Sequence, residues 1–290
     1  MVSKKITAFD VILVLVMIIA SCCFLYPLVN MLALSISDAQ MLKSSAVFLT
    51  PVGFSLESYR ALLNDNRILL YYWNTISYAG VGTVIMLLTT SLMAYPLSIP
   101  ALRGRKLVSV LLTITMFFGG GLIPYYVVIM KLKLIDTFWV MVLPGAISAY
   151  NVIVFKTFFM SIPAELRESA NLDGAGHVRI LFSIVLPLSK AVLATFALFS
   201  IVGYWNDYLT ALLYLRDDAK YPIQLLMRRL LVLMDYKDAS TAQLLKDFRG
   251  ISTRTTKAAA AIITVVPVLC VYPFMQKHFA KGVLVGSVKA

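Results

Sequence analysis

Residues 161–190 read SIPAELRESANLDGAGHVRILFSIVLPLSK. This segment combines acidic, basic and small residues, and it separates two long apolar stretches of the chain. Because a mostly apolar chain carries few charges, a spaced charged cluster between its apolar stretches is a candidate binding site for a partner protein. The fold class then depends on what those apolar stretches form.

The composition of the 290-residue chain is that of an integral membrane protein. Hydrophobic residues make up 60% and charged residues only 14%, whereas soluble domains carry roughly 25% charged residues. A water-soluble fold could not bury this much apolar surface. The net charge of +12 would also suit nucleic acid, but Lys and Arg gather beside lipid headgroups in membrane proteins. We therefore predict contact with membrane lipid and no nucleic-acid partner.

Six apolar runs are long enough to form transmembrane helices, since about 20 apolar residues cross a bilayer. Membrane strands are excluded because these runs are continuous and do not alternate. The first run is too long for a signal peptide and is expected to remain as a span. The sequence thus predicts an all-α integral membrane fold with one transmembrane domain over residues 1–290. The predicted spans are about 11–36, 70–100, 107–130, 137–157, 190–213 and 258–276, with outer loops at 38–67 and 214–257.

Basic loops indicate how the predicted spans are oriented, and prolines indicate where the spans bend. The short loop Arg103-Gly104-Arg105-Lys106 is basic, and short basic loops stay in the cytoplasm. Both termini and the 161–190 segment are therefore expected to be cytoplasmic. Prolines favour kinks or breaks within spans. Prolines within the predicted spans include Pro27, Pro96, Pro124, Pro144 and Pro267.

The chain lacks the motifs of an enzyme. It has no phosphate-binding loop, no complete dinucleotide-binding loop, no His-Glu-x-x-His and no Gly-x-Ser-x-Gly. An intramembrane enzyme would need a catalytic pair within the spans, and Asp207 is the only acid there. The three cysteines have no metal-ligand spacing. We predict no catalytic residues, no metal site and no enzyme activity, so any ATP-driven process requires another subunit.

The residues of the polar segment predict a short helix over about 163–175. Pro163 suits a helix start, Glu165 and Glu168 fall in or near the first turn, and Gly174 or Gly176 suits a helix end. Leu166, Ala170 and Leu172 are expected to form its buried side. From the residues alone, an ordinary connecting helix and a docking helix remain equally open.

The spacing of this segment resembles the signature of importer permeases of ATP-binding-cassette systems. The matching residues are Glu168, Ala170, Gly174, Ile184, Leu186 and Pro187, with Ser169 in place of the usual second alanine. The flanks resemble the carbohydrate-uptake branch, which includes the smaller maltose-permease subunit. Three further stretches fit the same family, namely Trp73-Asn74-Thr75, Trp205-Asn206-Asp207 and the tail from Phe279 to Gly286.

The resemblance implies a permease subunit driven by alternating access. The segment 163–175 would be a coupling helix that docks on an ATPase, with Glu168 as its charged anchor. Its implied contact residues are Glu168, Ser169, Ala170, Asp173, Gly174 and Ala175. The implied partners are a homologous second permease, two ATPase subunits that bind ATP and Mg, and an extracytoplasmic binding protein. The chain itself would hold no cofactor and would lie in the bacterial cytoplasmic membrane.

Polar groups inside spans suggest a cargo pathway. The predicted pathway residues are Asn74, Tyr204, Asn206 and Asp207, since aromatic faces and amide or carboxylate groups suit sugars. A belt of interfacial Trp and Tyr is the alternative reading of the aromatics. The basic outer loop, with Arg228 and Arg229, would attract an anionic cargo, such as an alginate- or pectin-type uronate oligosaccharide. A permease for another small solute and a non-transporting membrane scaffold remain alternatives.

Overall fold

The computed structural model describes residues 7–43, 46–64, 66–233 and 254–270. Within this part of the chain every regular element is a helix, which confirms the expected all-α class. Contacts within the chain form two compact units, one of Met1–Leu69 and Met227–Pro267 and one of Leu70–Leu226 and Val268–Ala290. The single domain expected over residues 1–290 stays a prediction.

The longest helices of the described residues are Ala8–Ser35 and Asn66–Ser98. Both are long and apolar enough to cross a membrane, and three bent helix pairs would raise the number of spans to five. The sixth predicted span, 258–276, overlaps a helix over 254–270, and its residues 271–276 lie outside the described part. Six spans therefore remain a prediction. The shorter helices outside the bent pairs are Glu57–Leu63, Ala164–Leu172, Leu209–Tyr214 and Ile223–Leu233.

The first bent pair replaces the predicted third span. Helices Arg105–Phe117 and Leu122–Lys131 meet at 115°. The break falls on Gly119-Gly120-Gly121, where Gly121 has a φ of 81°. Pro124 lies in the first turn of the second helix, where its missing N–H disrupts no helical hydrogen bond. Glycine, and not the proline, thus marks this break.

The other two bent pairs occupy the fourth span and the approach to the fifth. Phe138–Gly145 and Ala149–Met160 meet at 49°, and Pro144 lies at the end of the first member. His177–Leu188 and Lys190–Asn206 meet at 82°. Pro27 and Pro96, by contrast, lie inside continuous helices. Proline therefore marks only some of the breaks.

An aromatic and aliphatic core holds the second unit together. Phe155 and Phe159 are fully buried and pack edge to face with their ring centroids 5.8 Å apart. Phe196 packs on Phe155 in the same way at 5.1 Å. Ile180 and Val185, which follow the helix Ala164–Leu172, are buried in this core. The core therefore joins the fourth span, the fifth span and the segment 177–188.

In the first unit, the helix Ala8–Ser35 exposes most of its apolar side chains. Polar contacts secure the chain that follows it: Asn30 donates to the Val47 and Phe48 carbonyls at 2.9 and 2.7 Å. The hydroxyl of Ser58 donates to Thr255 at 2.9 Å and joins the helix Glu57–Leu63 to the helix 254–270. An apolar helix with so little protein contact suits a lipid environment.

Candidate functional site

The polar segment forms the helix Ala164–Leu172, hereafter the motif helix, and the structure shows why it ends where it does. Gly174 follows it with a left-handed φ of 79°. The N–H of Ala175 donates to the Ala170 carbonyl at 2.9 Å, and the N–H of Gly174 donates to the Asn171 carbonyl at 3.0 Å. These two bonds are the Schellman arrangement, which pairs the last carbonyls of a helix and favours glycine.

The motif helix presents more of its surface than the sequence predicted. Ala170 and Ala175 pack against the aromatic core, but Leu166 is 42% exposed and Leu172 is 90% exposed. The expected burial of both leucines is therefore wrong, because the helix touches the core through its small residues only. Glu168 is also exposed and makes no hydrogen bond or ion pair within the described ranges. An exposed carboxylate beside an exposed leucine forms a surface suited to a protein partner.

Two polar contacts join the motif segment to the end of the helix Asn66–Ser98. Arg167 donates from a guanidinium nitrogen to the hydroxyl of Ser98 at 3.4 Å. The Tyr95 hydroxyl lies 3.5 Å from Nδ1 of His177. Ser98 is fully buried and donates to the Tyr95 carbonyl at 2.6 Å. A displacement of the motif helix would therefore act directly on this span.

A cleft of about 610 Å³ in the second unit brings together three of the four predicted pathway residues. Tyr204, Asn206 and Asp207 line it, and Asn151 faces them from the fourth span. The other walls are Met86, Gly145, Tyr150, Phe196, Phe199, Ser200 and Gly203. Aromatic faces, two amides and one carboxylate thus share one cavity.

The end of the helix Lys190–Asn206 positions the polar groups of the cleft. Asn206 donates from its amide to the Val202 carbonyl at 2.9 Å. Asp207 has an extended backbone that ends the helix, and its carboxylate accepts the N–H of Thr210 at 3.0 Å. Tyr204 donates its hydroxyl to the Val142 carbonyl at 3.1 Å. Each of these side chains is therefore held in a defined direction by a hydrogen bond within the chain.

Several cleft residues that were not predicted share one face of a helix. Phe196, Phe199, Ser200, Gly203 and Asp207 recur at spacings of three or four, which places them on one face of a helix. Counting back from Asp207 at helical spacing would have found them. Tyr150 and Met86 come from other helices, and no local signal in the sequence connects them to this face.

Asn74, the fourth predicted pathway residue, lies outside this cleft. Its amide donates to the carbonyls of Ala219 and Tyr221 at 2.7 and 3.1 Å. The neighbouring Tyr78 donates to the Lys220 carbonyl at 2.8 Å. These contacts give Asn74 a clear structural role in holding the turn Asp218–Lys220 against the second span. A role in the cargo pathway stays a prediction.

The same turn carries a small ion cluster, hereafter the Asp136 cluster. Lys220 lies 3.0 Å from the carboxylate of Asp136 and 3.5 Å from that of Asp217. Asp136 also accepts the N–H groups of Arg216 and Asp217, each at 3.1 Å. The hydrogen bond from Lys220 and those from the backbone lower the pKa of Asp136. The hydrogen bond to Asp136 in turn raises the pKa of Lys220.

The two outer-loop arginines lie on the helix Ile223–Leu233. Both Arg228 and Arg229 are half-buried. Leu225, Met227 and Leu230 of the same helix are buried. Residues 234–253 of the predicted outer loop and the family-like tail from Phe279 to Gly286 lie outside the described residues.

Comparison with known proteins identifies relatives over most of the chain. The chain is 41% identical over 91% of its length to the polygalacturonan/rhamnogalacturonan transport system permease protein YtcP of Bacillus subtilis, covering 92% of that protein. It is also 41% identical to protein LplC of the same species, over 91% of this chain and 88% of the other.

A solved structure matches almost the whole chain. It is a crystal structure of a bacterial ABC transporter involved in the import of the acidic polysaccharide alginate. The two share 32% identity, with a TM-score of 0.87 over 96% of this chain and 100% of the other. Residues 79–285 match the family model described as binding-protein-dependent transport system inner membrane component. This chain belongs to that family of transport permeases.

Proposed function

We propose that the chain is one of two homologous permease subunits of an importer for acidic oligosaccharides. A binding protein delivers the cargo outside the cell, and two ATPase subunits drive alternating access from the cytoplasm, where both termini lie. ATP and Mg are bound by the ATPases, since this chain has no phosphate-binding loop. The similarity to YtcP over most of both chains is the observation that carries this proposal.

The motif helix supports the coupling part of the proposal. Its exposed surface combines the carboxylate of Glu168 with the side chain of Leu172. A carboxylate can pair with a basic group of an ATPase, and a leucine can fill an apolar pocket beside it. Ser169, Ala170, Asp173 and the Gly174-Ala175 turn complete the surface that would dock. The contacts through Arg167 and Tyr95 would pass its movement to the second span.

The cleft supports the cargo part of the proposal. Tyr204 and Tyr150 offer aromatic faces, and Asn206 and Asn151 offer amides for sugar hydroxyls. Arg228 and Arg229 on the outer helix would raise the local concentration of an anionic cargo by electrostatic attraction. The structurally similar ABC transporter is involved in the import of an acidic polysaccharide, alginate. YtcP is named for the transport of polygalacturonan and rhamnogalacturonan.

One observation favours a second candidate cargo, a neutral oligosaccharide. Among the described residues that line the cleft, Asp207 is the only aspartate, glutamate, lysine or arginine, and its negative charge would repel a uronate. An acidic cargo would then need its positive contacts from the second permease.

The test is ATPase activity of the complete assembly in lipid, stimulated by the binding protein and a panel of oligosaccharides. We expect galacturonate oligomers to stimulate it more than matched neutral oligomers. A preference for the neutral panel would favour the second candidate. Glu168→Gln is expected to weaken stimulation while the assembly still binds cargo. Full stimulation with this variant and with Leu172→Ala would show that the motif helix does not couple the ATPases to cargo, and no stimulation of the wild type by any oligosaccharide would instead support a non-transporting scaffold.

A further inference from the structure

Tyr204 occupies a slot that two glycines leave open. A Cβ on Gly82, in the helix Asn66–Ser98, would come within 2.5 Å of Cε2 and 2.7 Å of the hydroxyl oxygen of Tyr204. A Cβ on Gly145, in the turn Leu143–Gly145, would lie 2.7 Å from the same oxygen and 3.7 Å from Cε1. The two glycines thus face opposite edges of one ring.

The slot is held by contacts on both sides. Thr83, next to Gly82, donates its hydroxyl to Ser200 at 3.0 Å and so ties the second span to the fifth. Thr89 donates to the Ala146 carbonyl, which fixes the turn that contains Gly145. The Tyr204 hydroxyl is held at 3.1 Å by the Val142 carbonyl. Neither wall can therefore move away freely from an added methyl group.

The open cleft is the direction left to the ring. Tyr204 already lines the cavity beside Ser200 and Gly203. A methyl group at Gly82 or Gly145 would push the ring out of its slot and into this space. Because protein interiors are close-packed, a displacement of this kind costs stability as well as cleft volume.

We propose that Gly82 and Gly145 are positioning residues that keep Tyr204 withdrawn and thereby set the width of the cargo cleft. The proposal rests on the proposed function, since it assumes that an oligosaccharide passes this cleft. The size of cargo that can pass then depends on the position of Tyr204 and on the two glycines that leave space for its ring.

The experiment is a double-mutant cycle on the assembled transporter in lipid. Uptake of galacturonate oligomers of increasing length is measured for Gly82→Ala, Tyr204→Ala and the double variant. We expect Gly82→Ala to reduce uptake of the longest oligomers by about tenfold and of the shortest much less. In the Tyr204→Ala background the same change should have no further effect, because the ring that clashes is gone.

A matched control lies on the same helix. Gly80 has no heavy atom within 4 Å of an added Cβ, so Gly80→Ala should transport every length as the wild type does. The melting temperature of each assembly gives a second cycle that needs no cargo. Gly82→Ala should lower it, and Tyr204→Ala should remove that loss.

Three results would decide against the inference. They are wild-type length dependence in Gly82→Ala, equal loss of uptake in both backgrounds, and additive changes in melting temperature. Failure of the wild type to move any galacturonate oligomer would instead count against the proposed function. The melting-temperature cycle would then still decide whether the glycines seat Tyr204.

Discussion

Gly174 shows how one residue can have a local and a functional explanation at once. The family resemblance implies that it is small so that an ATPase can approach closely. The structure adds that its φ is 79° and that an added Cβ would meet no heavy atom within 4 Å. Its first requirement is therefore a left-handed backbone, which costs other residues roughly 1 kcal/mol or more.

Substitution at Gly174 separates the two explanations. Asparagine tolerates the left-handed region better than alanine does, although it is larger. If glycine is required for the left-handed backbone, Gly174→Ala should lower the melting temperature and the ATPase stimulation more than Gly174→Asn does. If glycine is required so that an ATPase can approach closely, Gly174→Asn should lower the ATPase stimulation more than Gly174→Ala does. Melting temperature and binding-protein-dependent ATPase activity of both variants are the measurements.

Asn74 makes a second prediction at the residue scale. Asn74→Ala removes the donors to the Ala219 and Tyr221 carbonyls, which should cost about 1–2 kcal/mol of stability. The expected result is a lower melting temperature with an unchanged KM for uptake. A raised KM at an unchanged melting temperature would support the predicted pathway role and contradict the structural one.

Among the elements, the motif helix was predictable from its ends. Proline before it, acid in its first turn and glycine after it are local signals, and the structure has all three. The exposure of Leu172 was not predictable, because helical spacing identifies a face without saying what covers it. The aromatic core reaches only Ala170 and Ala175, and these contacts are set by tertiary packing.

The positions at which the spans break were also not predictable from the sequence. Hydropathy locates the apolar runs around 107–130 and 137–157, but it carries no information on where the backbone turns. Prolines were the expected markers. Pro124, however, lies in a first turn that tolerates it, and the break occurs at Gly119-Gly120-Gly121. Glycine permits backbone conformations that no hydropathy scale records.

The Asp136 cluster predicts how the stability of its turn depends on pH. The folded-state pKa of Asp136 is lowered from its usual value of 3.8. The stability that its carboxylate contributes is therefore present above pH 3.8 and is lost as the pH falls through the lowered pKa. The folded-state pKa of Lys220 is raised from its usual value of 10.5. The stability that its ammonium group contributes is therefore present below pH 10.5 and is lost as the pH rises through the raised pKa. The contribution of the Asp136 cluster to stability should therefore be constant across neutral pH.

Asp136→Asn tests this dependence. The difference in melting temperature between wild type and variant should be constant at neutral pH and should shrink in strong acid and in strong base. Glu165→Gln, which neutralises an exposed carboxylate away from this turn, is the control for a change of charge alone. A difference that is independent of pH, or one shared by the control, would contradict the assigned role of the cluster.

At the scale of the whole molecule, the second unit contains both the motif helix and the cleft, the two sites on which the proposed function depends. The motif helix contacts the end of the span Asn66–Ser98 through Arg167 and Ser98, and His177, which follows it, contacts Tyr95 of the same span. The same span carries Gly82 and Met86, which border Tyr204 and the cleft. One continuous helix thus connects the surface that would receive an ATPase with the wall that would face cargo.

The charge of the cleft makes the last prediction, which concerns cargo selection by the whole transporter. Like charges about 10 Å apart repel by about 1.5 kcal/mol at an effective dielectric constant of about 20, or roughly tenfold in affinity. Asp207→Asn removes the negative charge but keeps an oxygen that can accept the Thr210 N–H. If galacturonate passes this cleft, its uptake should rise by up to that factor relative to a methyl-esterified, neutral oligomer of the same length. An equal change for both oligomers would show that Asp207 does not face the cargo charge, and the uptake ratio of the two oligomers is the quantity to measure.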